Sequence, residues 1–394
     1  MQYRRLQHFN GPPLAAVSSL WFPWVVTRHR GDLDLYRVSQ RYAMLAVRNE
    51  YRRSNWYDGM RFNPAKNNAL STRNENEHSK LRSKMAAGAQ FFTLDVTSDL
   101  AFGKPFGFME TDSDVYKYIK TTEESLPVFV ATTVYPWVIR LFASPLFRPL
   151  LPSEKDRQGF GKVMGIAKKA AAERFGPDRK VQRDMLGSFV AHGLTQEEAE
   201  SKIILQIIAD SDTVATTIRA TVLFVATNPR VHDRLLAEIS SAASSTHRPG
   251  LRIFPPATGI MSKEVPAAGD TRKGQFIPSD TRIGWAVWCM LRREGIWGAD
   301  AQEFRPERWL AEDQGRTTSE QKLRTMESTI ELIFSYGKCQ CLGQPVALIE
   351  LNKTFFELLR RYELIVCDPL NPLESFNCGI HTQSNYWIRA HRRE

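Results

Sequence analysis

The sequence predicts a mainly α fold with a small β region, and three stretches carry that prediction. Residues 195–227 keep a helical period behind a capping box of Thr195 with Glu198, and stop before Asn228 and Pro229, which begin another helix. Residues 345–361 open on Pro345, suited to a first helical turn, and string Val346, Leu348, Ile349, Leu351, Phe355, Leu358 and Leu359 along an apolar helix. Residues 89–107 are strongly amphipathic and stop near Gly103. A chain of 394 residues with 42% hydrophobic, 24% charged and 11% aromatic residues is globular, neither disordered nor collagen-like. It reads as one large domain over residues 31–394 behind a short segment, residues 1–30. Five cysteines at positions 289, 339, 341, 367 and 378, without a C-x-x-C pair, fit a reducing compartment and not a zinc module. The net charge of +10 does not point to nucleic acid, because no basic run alternates with stacking aromatics.

In chain order, MQYRRLQHFNGPPLA is basic but lacks the run of about 20 apolar residues that a bilayer span needs. Trp21, Phe22, Pro23 and Trp24 suit either a membrane interface or packing onto the domain. Residues 33–45 read as a helix. Residues 74–88 are expected to place His78 and Arg82 at i and i+4 on one helix face, a donor pair for a buried carboxylate or a solvated surface. Residues 126–147 are apolar, but Pro136, Arg140 and Pro145 interrupt them, so they make a poor membrane helix. The helix from Thr195 would span about 50 Å at 1.5 Å per residue and must cross a core. Midway it carries the polar run ADSDTVATT, and buried polar groups need a reason, either chemistry or an interhelical hydrogen-bonding patch.

Residues 334–343, FSYGKCQCLG, set Cys341 between two glycines. Gly337 allows a tight turn at positive φ, and Gly343 lets the chain pass close to a flat cofactor. The helix opened by Pro345 aims its N-terminus at Cys341, which favours a thiolate, the form that ligates iron. The alternative is a structural buried cysteine. Phe334, Gly337, Cys341 and Gly343 match F-x-x-G-x-R-x-C-x-G, and on these residues the chain resembles the cytochrome P450 family, most closely its fungal members.

The resemblance implies the cytochrome P450 fold with b-type haem on the thiolate of Cys341, and electrons from NADPH through NADPH-cytochrome P450 reductase. The reaction it implies is insertion of one oxygen atom from O2 into a lipophilic small molecule, in fungal secondary metabolism. His78, Arg82 and Lys263 would serve the haem propionates. Ala209 to Thr213 resemble the oxygen-binding groove, with Asp212 as acid and Thr213 as hydroxyl; splitting O–O consumes two protons, which a hydroxyl and a carboxylate can relay. Ala209, Ala257 and Thr258 would lie against substrate. Residues 126–147 would belong to the lid over the substrate pocket. Arg252 and Arg308, in FRPERW, would take the structural roles of the E-x-x-R helix and the loop that pairs with it. Lys338, Lys353, Arg360 and Arg361 would suit an acidic reductase, or a solvated helix face. Family members sit on the cytosolic face of the endoplasmic reticulum; residues 1–30 resemble the hinge after their anchor, so this chain reads as cytoplasmic or peripheral, with membrane contact open.

Four departures stand against the family pattern. Cys339 replaces the propionate-binding Arg or His, and Asp210 replaces a glycine that lets the helix admit oxygen. Pro249 replaces the E-x-x-R glutamate, which would leave Arg252 and Arg308 facing like charge. Family segments look absent near residues 43–50, 88–90 and 243–250, making the fold incomplete. The competing expectation is therefore an inactive or truncated haem-fold remnant.

Overall fold

The computed structural model describes residues 82–393, apart from 135–139, 143, 148–150, 177–181, 240–246, 273, 310–319 and 378. The expected helix at 33–45, the aromatic run at 21–24, His78 and the junction near 43–50 lie outside the described residues.

In chain order the principal elements are β1 (Arg82–Lys84), α1 (Met85–Phe102), α2 (Tyr118–Val134), α3 (Gly159–Phe175), α4 (Met185–Ala191), α5 (Gln196–Ala226), α6 (Pro229–Ile239) and α7 (His247–Ile253). There follow β2 (Ile260–Glu264), β3 (Asp270–Arg272), β4 (Gln275–Ile277), β5 (Arg282–Ala286), α8 (Glu320–Glu331), α9 (Gln344–Arg361) and β6 (Tyr362–Val366). The chain ends on β7 (Glu374–Asn377), β8 (His381–Ser384) and β9 (Trp387–Arg392). The fold is mainly α with short strands, as the periodicity predicts. The described residues group into two compact units.

One unit holds residues 228–342 and 376–381. Its core gathers Leu251, Val287, Leu291, Trp297, Met326, Ile330 and Ile333, with the Trp297 and Trp309 rings 5.7 Å apart and edge-on. Strands β2 and β5 pair antiparallel, Ser262 opposite Gly284, and a side chain at Gly284 would collide with the Met261 carbonyl.

The other unit holds residues 82–227, 343–375 and 382–393, and α5 runs through it. The predicted capping box is present: Thr195 N–H donates to Glu198 Oε2 at 2.9 Å and Glu198 N–H to Thr195 Oγ1 at 3.3 Å. Ala199, Ile203 and Ile207 of α5 pack with Leu94 of α1 and Val163, Ala167 and Ala171 of α3. Helix α1 is less cleanly amphipathic than expected of residues 89–107, since its buried side also carries Gln90, Thr93, Thr97 and Ser98. It ends where predicted, with Gly103 at φ 73, and it crosses residues 88–90 without a break.

Residues 82–84 correct the helix expected over 74–88. Arg82, Ser83 and Lys84 pair antiparallel with Arg389, Ile388 and Trp387, so Arg82 sits on a strand. Strand β9 also pairs with β6, giving the order β1-β9-β6. Among the described residues, no helix is long and apolar enough to cross a membrane.

Candidate active site

The Cys341 loop is built on the first unit. Helix α8 runs into a 3-10 turn, Leu332–Phe334, whose Phe334 packs against the core. Ser335 then takes φ 63 and Gly337 φ 64, a conformation glycine adopts without strain, so the predicted turn is present. The Cys341 N–H donates to the Phe334 carbonyl at 2.7 Å, closing the loop with the thiol exposed and unbonded. Lys263 reaches the same loop from β2. Its Nζ donates to the Tyr336 carbonyl and lies 5.8 Å from the Tyr336 ring and 5.9 Å from that of Trp285. Cys339 is exposed, and no second cation occupies its place in the sequence. Gly343 has φ −80 and ψ −4, a conformation open to any residue, so close approach is the remaining reason for glycine there. Pro345 lies in the first turn of α9, as predicted.

Arg252 and Arg308 are both buried, and the like charge expected from Pro249 is present but offset by acceptors around each guanidinium. Arg252 donates to the carbonyls of Leu291 at 3.2 Å, Ala301 at 2.6 Å and Glu303 at 2.5 Å. Arg308 donates to the carbonyls of Trp297 at 2.6 Å and Asp300 at 3.1 Å, and lies 3.3 Å from the Asp300 carboxylate. Carbonyl dipoles and Asp300 thus do the work assigned to a glutamate. Burial first, and then the neighbouring Arg308, hold the Arg252 pKa well below the usual guanidinium range.

Ala257 bridges antiparallel to Ile380, and the Thr258 N–H donates to the Gly379 carbonyl at 2.9 Å. Thr258, expected to lie against substrate, is enclosed by protein. It is 1% exposed, and its Oγ1 exchanges hydrogen bonds with the Asn377 side chain at 3.0–3.1 Å. Asn377 Nδ2 also lies 2.9 Å from His381 Nε2, and His381 stacks 4.2 Å from the Phe254 ring centroid. Burial, and then the Arg292 charge, lower the His381 pKa to about 3, so the imidazole is neutral.

The polar run of α5 belongs to the second unit. Thr213 Oγ1 donates to the Ala209 carbonyl at 3.0 Å, one turn back, and Ala209 is exposed. Asp212 points elsewhere: it accepts from Gln90 Nε2 of α1 at 2.5 Å, and Arg219, which donates to Gln90 Oε1 at 3.1 Å, is the cation acting on it. Burial raises the Asp212 pKa against the pull of Arg219, whose own pKa burial lowers to about 10. Acid and hydroxyl therefore share a helix but not a hydrogen bond. Asp210 accepts from Thr97 Oγ1 of α1.

The sequence reading missed Gln90, Arg219, Asn377, His381 and Glu350. Two left a signal, a lone Arg in the apolar ATTIRATVLFVA and a lone Glu between Ile349 and Leu351.

The cytochrome P450 family model matches residues 60–388. The chain belongs to the cytochrome P450 family. It is 35% identical to cytochrome P450 monooxygenase ABA1 of Pyricularia oryzae, across 96% of this chain and 91% of that one. It is 31% identical to cytochrome P450 monooxygenase aba1 of Botryotinia fuckeliana, across 89% and 80%, and 27% identical to abl1 of Leptosphaeria maculans, across 95% and 80%. This P450 is accordingly a haem-dependent monooxygenase acting on a small molecule, with cysteine-ligated iron and electrons from a redox partner. The relatives do not favour the inactive remnant.

The residues present fit the haem. Cys341 offers an unbonded exposed thiol, and Tyr336 and Leu342 beside it are 70% and 87% exposed, apolar surface that a flat macrocycle would cover. Lys263 supplies a cation on the same loop for an anionic edge.

Proposed function

We propose that this P450 inserts one oxygen atom from O2 into a lipophilic product of fungal secondary metabolism, such as a terpenoid, polyketide or alkaloid. Its electrons come from NADPH through NADPH-cytochrome P450 reductase, at the cytosolic face of the endoplasmic reticulum. Cys341 ligates the iron, Phe334, Gly337 and Gly343 shape the loop beneath the macrocycle, and Lys263 binds a propionate. Thiolate-ligated haem supplies the activation of dioxygen. Thr213 serves as the hydroxyl at the oxygen cleft, with Asp212 as a buried acid held by Gln90 and Arg219. Ala209 and Ala257 face substrate, and Thr258 acts through its hydrogen bonds to Asn377.

The observation that carries this reading is the closed loop from Phe334 to Cys341, with its thiol free and Lys263 fastened to it. The ferrous carbon-monoxide difference spectrum of the purified protein tests it. A red-shifted thiolate-type Soret band, lost in Cys341→Ala, is the expected result. No haem uptake, or a band that survives the substitution, would overturn it.

A further inference from the structure

Helix α9 and strand β9 end side by side in the second unit, and their ends bring four arginines around one cleft. Arg360, Arg361, Arg392 and Arg393 line a cavity of about 480 Å³. Arg360 and Arg361 are the last residues of α9, and Arg392 pairs with Tyr362, the first residue of β6, so the strand returns to where the helix stops. Arg393 is fixed by its surroundings: its N–H donates to the Arg361 carbonyl at 2.8 Å and its Nε to the Leu359 carbonyl at 3.1 Å. Those bonds also cover carbonyls at the negative end of the helix dipole, which would otherwise repel an anion.

Counter-charge around the cleft is short. Glu357 Oε2 is shared between Arg360 Nη2 at 2.9 Å and Arg361 Nε at 2.7 Å, with all three side chains about half exposed. Exposed pairs of this kind contribute little and exchange readily for a better acceptor. The Arg392 side chain is exposed and has no ion pair or hydrogen bond among the described residues. Glu363 of β6 does not serve it, because Glu363 pairs with His391 and strand alternation sends both to the opposite face. All four groups are guanidinium forks, which take two phosphate oxygens at once where a lysine offers a point charge. One phosphate is too small to engage four forks, whereas phosphates held close together can. The wall carries no aromatic ring on which a base could stack, and a cleft of this volume does not admit the face of a folded protein.

We propose that this cleft binds a compact polyphosphate group, carried by a soluble anion or by a phosphoinositide headgroup. The site is separate from the oxygen chemistry and does not rest on the monooxygenase reading. A bound anion would tie the end of α9 to the end of β9, so it should stabilise the fold.

Calorimetric titration of the ferric holoprotein with sodium tripolyphosphate tests this. Saturable binding is expected, with a raised melting temperature and an affinity that falls as salt is added. Arg392→Gln removes no bond of the fold, so its unliganded melting temperature should match the wild type. It should nevertheless weaken binding about tenfold or more, the usual effect of losing a hydrogen bond from a charged group, and Arg360→Gln should do the same. Flotation with phosphatidylcholine vesicles separates the two sources. Greater recovery on vesicles carrying phosphatidylinositol bisphosphate than on phosphatidylserine vesicles of equal charge supports the site with a lipid ligand. Tripolyphosphate binding without that gain supports it with a soluble one. Absence of saturable binding in both assays, or citrate bound as tightly as tripolyphosphate, would overturn the proposal. So would unchanged binding in both variants, and slower reduction of Arg360→Gln by the reductase would then give these arginines to the flavoprotein.

Discussion

Arg219 is 2% exposed in the apolar half of α5, and it persists as a charge because Gln90 Oε1, the Ala86 carbonyl and the nearby Asp212 receive it. Removing it should strand Asp212, so Arg219→Met is expected to lose about 3–5 kcal/mol, the usual cost of breaking a buried charge pair. Asp212→Leu with Arg219→Met should recover part of that loss, since neither charge is left alone. Urea unfolding of the two single variants and the double checks this, and additive losses would show that the two side chains do not act together. Single residues were legible in the sequence where their partners were near. Phe334, Gly337 and Cys341 lie within eight positions, and turn chemistry alone places the thiol in a loop. Gln90 and Asp212 are 122 positions apart, and no local pattern announces their bond.

At the scale of elements the same contrast holds. Helix α5 could be bounded from its sequence because a capping box is local; Thr195→Ala is expected to lose about 0.5–2 kcal/mol, read as a lower urea midpoint with an unchanged slope. Strand β1 could not be foreseen, since its pairing with β9 comes from more than 300 positions away and overrides a helical pattern. The turn after β7 is held by one side chain. Asn377 bonds Thr258 and His381 and accepts from the Gly379 N–H at 2.8 Å. Asn377→Ala should leave buried groups unpaired at about 1–3 kcal/mol each. It should also weaken substrate-induced spectral shifts several-fold, while the carbon-monoxide band of Cys341 stays in place. An unchanged substrate affinity would remove the turn from the substrate site.

At the scale of the molecule, two buried groups, one in each unit, set opposite limits on stability with pH. His381 has its pKa lowered from 6.5 to about 3, so between those values the unfolded chain binds a proton that the folded one refuses. Its contribution is complete above pH 6.5 and is lost as pH falls towards 3. Glu350 has its pKa raised from 4.5 to about 8, so the folded chain keeps a proton that the unfolded one releases. Its contribution is complete below pH 4.5 and is lost as pH rises towards 8. Each slope is about 1.4 kcal/mol per pH unit, and between pH 4.5 and 6.5 the two cancel. The wild-type unfolding free energy should therefore carry a plateau over that interval, falling on both sides. Glu350→Gln should flatten the alkaline fall and leave the acid one, while His381→Gln should do the reverse. Denaturant unfolding at half-unit steps from pH 4 to 8.5 measures both limbs. If either variant merely offsets the whole curve, its residue binds no proton differently on folding, and the pH limits must be sought in other groups.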